Sequence, residues 1–179
     1  MTDSGHSTET GTDERRTTLT VEPDSHAITI SRTFDAPRDR VFEANVDPDS
    51  IPEWWGPRRY ATVVDEMDAR PGGRWRFVNR DDEGNEHGFH GVYHDVVAPE
   101  RIVQTFEYEG APRHVSLETA TFEDVDGRTR LTAHSVFQSV EDRDDMVESG
   151  MEDGARETWK RLSEFVEEVE TTDRTEVDA

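Results

Sequence analysis

The chain has 179 residues, a formal net charge of −22 and no cysteine. This length suits one domain with its own core, and the lack of cysteine excludes disulfides, thiolate metal sites and cysteine nucleophiles. Acidic residues outnumber basic ones by 42 to 20, so no basic stripe is available for phosphate contacts and we expect no nucleic-acid partner. No apolar run approaches the roughly 20 residues that span a bilayer, and the N-terminus has no apolar signal core. We therefore expect a cytoplasmic protein without membrane contact.

The basic residues are almost all arginine, since Lys160 is the single lysine. A large acidic excess keeps a protein dispersed, but at low salt it opposes folding by self-repulsion. Salt removes this repulsion, because the Debye length falls to roughly 3 Å at 1 M. We interpret the composition as that of a halophilic protein from an acidic proteome. The plainer alternative is an ordinary acidic soluble protein.

The first predicted segments are a tail, a strand and two short helices. Residues 1–22 are mostly Thr, Ser, Gly, Asp and Glu, which predicts a disordered acidic tail. Apolar residues alternate from Ala27 to Phe34, as in a half-buried strand. Pro37 suits the first turn of a short helix, and the turn residues after Val46 indicate a second one that runs to Trp54.

Six further strands are predicted between Tyr60 and Phe137, separated by turn residues. They cover residues 60–68, 74–80, 86–97, 101–108, 114–124 and 128–137. Strands this closely spaced pair antiparallel, and a long meander of them tends to curl.

The end of the chain is predicted to be helical. Apolar residues recur at spacings of four and three from Val147 to Val169, which indicates a long amphipathic helix, and Gly150 is expected to separate it from a short helix after Ser139. Residues 171–179 are again expected to be a disordered tail. The elements therefore predict one two-layer α+β domain over residues 23–170, in which the last helix covers the curled sheet.

A series of short motifs runs through the chain between the tails. They are Phe34-Asp35-Ala36-Pro37, Trp54-Trp55-Gly56-Pro57, Pro71-Gly72-Gly73, Gly91-Val92-Tyr93, Pro99-Glu100-Arg101-Ile102-Val103, Gly127-Arg128-Thr129-Arg130-Leu131 and Ser149-Gly150-Met151-Glu152-Asp153-Gly154. In this order they resemble the Hsp90-ATPase-activator-homologue family of the START/Bet v 1-like (SRPBCC) superfamily. The resemblance implies a helix-grip fold: a curved seven-stranded antiparallel sheet around a long C-terminal helix, with two short helices after the first strand and a cavity between sheet and helix.

The resemblance specifies a scaffold and not a reaction. It implies no cofactor, and family members include lipid and polyketide binders, cyclases and a domain of an Hsp90 co-chaperone. We expect no Hsp90 contact, because nothing before Glu22 could fold into the second domain that the activator carries.

Strand alternation predicts which side chains line the cavity. The candidate residues are Trp54, Trp55, Trp75, Phe77, Phe89, Tyr93, Phe106, Tyr108, Glu118, Phe122, Phe137, Met151, Ala155 and Thr158. The middle of the long helix carries small side chains, Gly154, Ala155 and Thr158, where a filled core would call for larger ones. The alternative is a filled core in which these small residues mesh with the large ones of the sheet. A true ligand site would have a volume of about 300–1,000 Å³.

Only a few polar residues are candidates for chemistry. Glu118 shares a face with Ala120 and Phe122, and a carboxylate buried near apolar rings would have a raised pKa and could act as an acid or base. Its polar partner would be Tyr93 or His134. We assign no catalytic residue on this basis, because an ion-paired or surface carboxylate is the commoner outcome.

The charged and histidine side chains of the following strands are expected to be structural. Arg76 alternates to the solvent face. His90 and His94 share one face of their strand and His87 points to the other, so no metal site is expected.

Three functions are compatible with these features. The first is a non-enzymatic module, a monomer or homodimer, that binds a small apolar or amphipathic molecule, which would pass between the Trp54-Trp55 segment and the loop at Gly110-Ala111-Pro112. The second is a cyclase or hydrolase type of enzyme that acts in the same cavity. The third is a protein-interaction module in chaperone or stress pathways, which an exposed apolar patch over a filled interior would favour.

Overall fold

The computed structural model describes residues 16–177, with side chains as far as residue 167. Along these residues the chain forms eight strands and four helices. The strands are β1 (Thr18–Val21), β2 (Ala27–Phe34), β3 (Ala61–Met67), β4 (Arg74–Arg80), β5 (Glu86–Val97), β6 (Arg101–Tyr108), β7 (Val115–Val125) and β8 (Arg128–Val136). The helices are α1 (Arg38–Val46), α2 (Ile51–Trp54), α3 (Val140–Glu148) and α4 (Met151–Val177). This is the α+β helix-grip arrangement that the sequence predicts.

The strands form one antiparallel sheet in the order β1-β2-β8-β7-β6-β5-β4-β3. Strands β3 to β8 are a simple meander, and β2 returns to pair with β8 from Ala27↔Val136 to Phe34↔Thr129. The β7–β8 turn has positive φ at both Asp126 (53°) and Gly127 (85°). Aspartate followed by glycine suits such a turn, because its backbone twist matches that of the two strands it joins.

Strand β1 corrects the predicted strand count from seven to eight. It pairs with β2 from Thr18↔Ser31 to Val21↔Ile28, inside the stretch that was expected to be a disordered tail. The expectation was wrong here because Leu19 and Val21, which pack against the core, are too few to stand out in a polar window. Residues 1–15 of that tail lie outside the described residues.

The C-terminal helix also differs from the prediction, both in its length and in the face that it buries. Helix α4 runs from Met151 to Val177, through most of the stretch expected to be a tail, and residues 178–179 lie outside the described residues. Its fully buried side chains are Leu162 and Val166, and Trp159 is only 9% exposed. Within residues 16–177, none of the helices is long and apolar enough to cross a membrane.

Trp159 is the buried residue of α4 that the predicted apolar stripe did not include. Its ring meets that of Phe34 edge-to-face at 6.0 Å between centroids, so it supplies the bulk that the small residues of the helix lack. Met151, Ala155 and Thr158 are half-buried at the margin of this face. The space directly beneath α4 is therefore largely filled by an indole.

Candidate functional site

A cavity of about 550 Å³ lies between the inner face of the sheet and helix α3. Its lining comes from the segment after α2, from strands β4 to β7, from the loops at the ends of β6 and β8, and from α3. The lining residues are Tyr60, Asn79, His87, Phe89, Phe106, Tyr108, Ala111, His114, Val115, Ser116, Phe137, Asp142, Asp145, Met146 and Ser149. The volume is within the range of small-molecule sites.

Four of the predicted cavity residues line this space: Phe89, Phe106, Tyr108 and Phe137. Trp75, Phe77, Tyr93 and Phe122 also point inward, but they are buried in the core. The helix residues expected opposite the sheet, Met151, Ala155 and Thr158, are not part of the lining, which includes no residue of α4 among those whose side chains are described, 151–167. The prediction placed the cavity under the wrong helix because Trp159 occupies the space beneath α4.

The two adjacent tryptophans have different roles. Trp54 is buried and its Nε1 donates to the carbonyl oxygen of Ala44 at 2.9 Å, which fixes α2 against α1. Trp55 meets the rings of Phe77 and Phe89 edge-to-face at 5.1 and 5.2 Å. Trp55 is thus the one that supports the cavity wall, from behind Phe89, although neither indole lines the cavity itself.

The wall of the cavity on the sheet side is a continuous set of rings. Phe89 lies 5.6 Å from Phe106 and 5.1 Å from Tyr108, measured between centroids, and the second pair is stacked. Side chains on the two neighbouring strands β5 and β6 reach one another because alternate residues of each strand face inward. Such rings offer a large apolar surface to a bound molecule.

The polar groups of the cavity occur mostly as bonded pairs. His87 Nδ1 lies 3.0 Å from the Tyr108 hydroxyl, and His114 Nδ1 lies 3.0 Å from Asp142 Oδ1. Ser116, which is 3% exposed, also belongs to the lining. Of these groups only Tyr108 was predicted to line the cavity, although the position of His87 two residues before Phe89 indicates that both face inward.

Helix α3 is held in place by its own cap and by a buried arginine. The Ser139 hydroxyl accepts from the backbone N–H of Asp142 at 3.1 Å, as an N-cap residue does. Arg143 is 5% exposed and its guanidinium donates to the carbonyl oxygens of Glu22, at 2.6 Å, and Ser25. The loop between β1 and β2 therefore anchors the helix that closes the cavity.

Glu118 faces inward on β7, two residues from Ser116 on the same face, but it does not line the cavity. Its side chain is half-buried, and desolvation raises its pKa to about 7, opposed by a hydrogen bond with Ser135. His134, one of its two expected partners, lies on the opposite face of β8, where its Nδ1 is 3.0 Å from the Thr29 hydroxyl. That expectation was wrong because residues 134 and 135 alternate across the sheet. Tyr93 is in the neighbouring inward-facing core, 2% exposed.

The outer face of the sheet carries a cluster of ion pairs around Glu109. Arg76 Nε and Nη2 both donate to this carboxylate at 2.8 Å, and His90 Nδ1 lies 2.9 Å from it. The arginine bonds lower the pKa of Glu109 to about 2. Arg76 is on the solvent side of the sheet, as predicted. Among the side chains of residues 16–167, no three His, Asp or Glu groups are arranged so that they could hold a metal ion.

Comparison with known proteins identifies the family. The family described as "Activator of Hsp90 ATPase homolog 1-like protein" matches residues 35–167. The chain belongs to this family. The match begins after β2, so β1 and β2 lie before it, and it extends through the whole cavity lining to the buried part of α4.

Solved structures similar to this Hsp90-activator-homologue chain share its fold. Protein Ms6760 from Mycobacterium smegmatis superposes with a TM-score of 0.76 at 24% identity, over 84% of this chain and 96% of that one. A protein from Arthrobacter aurescens gives a TM-score of 0.78 at 24% identity, over 84% and 91%. Protein CV1439 from Chromobacterium violaceum gives 0.72 at 26%, over 79% and 97%. No curated protein matches the chain.

Proposed function

We propose that this family member binds a small apolar or amphipathic molecule in the cavity between α3 and the sheet. The observation that carries the proposal is the space of about 550 Å³ with Phe89, Phe106 and Phe137 in its lining. Concave sites of this volume that are lined mainly by apolar and aromatic side chains are typical of small-molecule binding. Each methylene group buried there would stabilise the complex by about 0.8 kcal/mol.

The ligand would reach the cavity between the segment that follows α2 and the loop between β6 and β7. What supports this route is that Tyr60, from the first of these segments, and Ala111, from the second, both belong to the lining. Ala111 is exposed, so this part of the wall borders solvent.

The first experiment is native mass spectrometry of the full chain, before and after denaturing extraction, with the extracted compounds identified. We expect an additional mass that is lost on extraction. The matched variants are Ser116→Leu, which adds volume inside the cavity, and Thr119→Leu, which places the same leucine side chain on the outer face of β7. A bound mass that persists equally in both variants would contradict the proposed site.

A second candidate function is an enzyme in which Glu118 is a general acid or base. It rests on the inward position of Glu118, next to the cavity and two residues along β7 from the lining residue Ser116, and on its pKa of about 7, since a carboxyl that titrates near neutral pH suits proton transfer. The test is to incubate the extracted compound with the protein and look for a product. Catalysis by Glu118 requires that Glu118→Gln still binds the compound but no longer converts it, and an unconverted compound with the unaltered protein would overturn this candidate.

A further inference from the structure

The ionised side chains of the cavity lining have one sign. Among the described side chains, residues 16–167, no arginine or lysine belongs to the lining, whereas two carboxylates, Asp142 and Asp145, do. Both are on α3, and a spacing of three residues puts them on the same face of that helix. A molecule in the cavity therefore meets this pair of carboxylates at the α3 side.

The two carboxylates differ in what they already bind. Asp142 is held by His114 and its side chain is 16% exposed. Asp145 is exposed, and within residues 16–167 no side chain donates a hydrogen bond to its carboxylate. Since an ionised carboxylate offers about four acceptor positions, most of the acceptor capacity at this rim is open to a ligand.

The rest of the lining also suits a positive charge. The lining contains five aromatic rings, those of Tyr60, Phe89, Phe106, Tyr108 and Phe137, and the face of an aromatic ring attracts a cation that lies within about 6 Å. One such contact exists at the rim, where the guanidinium of Arg59 stands 4.9 Å from the centroid of Tyr60. Arg59 itself is not part of the lining.

We propose that the ligand of this cavity is an amine: an apolar body between the rings, and an ammonium head at Asp142 and Asp145. This inference rests on the proposed function and gives the chemical class of its ligand. A charge-assisted hydrogen bond from an ammonium to a carboxylate is about twice as strong as a neutral one. A fatty acid would instead bring its carboxylate towards two others, and like charges at an interface cost several kcal/mol.

The test compares three probes that share one tail, octylamine, octanol and octanoate, by isothermal titration calorimetry with the full chain. The buffer contains molar potassium chloride, so that screening suppresses the long-range attraction of a strongly acidic protein for any cation. We expect octylamine to bind at least about tenfold more tightly than octanoate, with octanol between them. Tenfold in Kd corresponds to about 1.4 kcal/mol.

Three variants locate the origin of the preference. Asp145→Asn and the double variant Asp142→Asn/Asp145→Asn should lose most of it and keep the affinity for octanol. Glu148→Gln removes one charge from the same helix outside the lining, and should keep the preference. Circular dichroism confirms that each variant is folded.

The outcomes separate the two proposals. Octanol binding with equal or tighter binding of octanoate overturns the amine inference and leaves the cavity a ligand site. A preference for octylamine that remains in the double variant also overturns the amine inference. So does a preference that Glu148→Gln abolishes as completely as the double variant does. If none of the three probes binds to the unaltered protein, the proposed function fails, and the inference fails with it.

Discussion

The indole Nε1 of Trp75 donates to the carbonyl oxygen of Thr105 at 3.2 Å, across the intervening strand at Gly91. Trp75 is on β4, Thr105 on β6, and Gly91 is the residue of β5 that pairs with Trp75. A side chain at position 91 would occupy the path of this bond. The bond therefore connects two strands that are not neighbours. It depends on residue 91 being a glycine, since even the methyl group of an alanine would obstruct it.

We expect Gly91→Ala to destabilise the fold by about 3 kcal/mol or more, the range of a severe core substitution. A Cβ at this position would lie 1.9 Å from the Thr105 carbonyl oxygen and 2.5 Å from Trp75 Nε1, so strands or indole must move. The matched control is Gly154→Ala on α4, whose nearest contact would be Pro57 at an ordinary 3.9 Å. It should stabilise by about 0.5–1 kcal/mol through helix propensity. Urea unfolding measures both, and a tolerated Gly91→Ala would contradict the steric argument.

Glu118 makes the stability of the protein depend on pH in a particular window. Its pKa in the folded state is raised from an ordinary 4.5 to about 7, so in this interval the folded state keeps a proton that the unfolded state releases. The contribution of Glu118 to the free energy of unfolding is thus complete below pH 4.5, falls as the pH rises, and levels off above about pH 7.

Glu118→Gln isolates this contribution. Above pH 7 we expect the variant to be more stable than the unaltered protein by about 2 kcal/mol, a figure that allows for the partial exposure of the side chain. Below pH 4.5 the two should have nearly the same stability. The control is Glu123→Gln, an exposed position on the outer face of the same strand, and chemical unfolding across the pH range provides the comparison. If the difference in free energy of unfolding between Glu118→Gln and the unaltered protein does not change with pH, desolvation does not raise the pKa of Glu118.

Arg143 connects the loop of residues 22–25 to helix α3, and its removal should affect both stability and the cavity. We expect Arg143→Ala to lower the free energy of unfolding by about 2 kcal/mol, because the carbonyl oxygens of Glu22 and Ser25 lose a charged donor. Ligand affinity should fall too, since α3 forms one wall of the cavity. Arg101→Ala, which removes the exposed pair with Asp95 at 2.5 Å, should cost under about 1 kcal/mol. If the two variants unfold at the same urea concentration, the anchoring role of Arg143 is refuted.

The acidic composition leads to a prediction about salt. At a net charge of −22, we expect the urea concentration at the midpoint of unfolding to rise from dilute to molar potassium chloride, because screening weakens self-repulsion in the compact state. The non-ionic control is sucrose, at a concentration that stabilises uncharged proteins as much as molar potassium chloride does. A midpoint independent of salt would contradict the interpretation of the chain as halophilic.

The sheet was predictable because its signals are local. The strands β4, β5 and β6 begin and end at the residues predicted from alternation and turns. Strand β1 was not predicted, because its own composition does not indicate that it pairs with β2. Only Leu19 and Val21 of this strand are apolar. Tertiary pairing decides the state of such a segment.

The cavity was harder to predict because it depends on how elements pack. Alternation identified the inward face of the sheet, including Phe89 and Phe106, but periodicity along α4 did not show that Trp159 turns into the core against Phe34. The contribution of α3 to the lining could not be predicted from the sequence, because the spacing of Asp142, Asp145 and Met146 does not indicate that they face a cavity. Their position follows from the Ser139 cap and from the distant bonds of Arg143.

The contact between Trp55 and Phe89 gives the protein an optical reporter of its own. Phe89 lines the cavity, and Trp55 lies behind it with ring centroids 5.2 Å apart. A molecule seated against Phe89 is thus one ring away from an indole, and its arrival should alter the emission of that indole without any added dye. Replacing Trp55 with phenylalanine removes the part of the signal that comes from this indole. The part from Trp75, whose ring lies 6.0 Å from that of the lining residue Phe106, remains, so occupancy can be followed in real time.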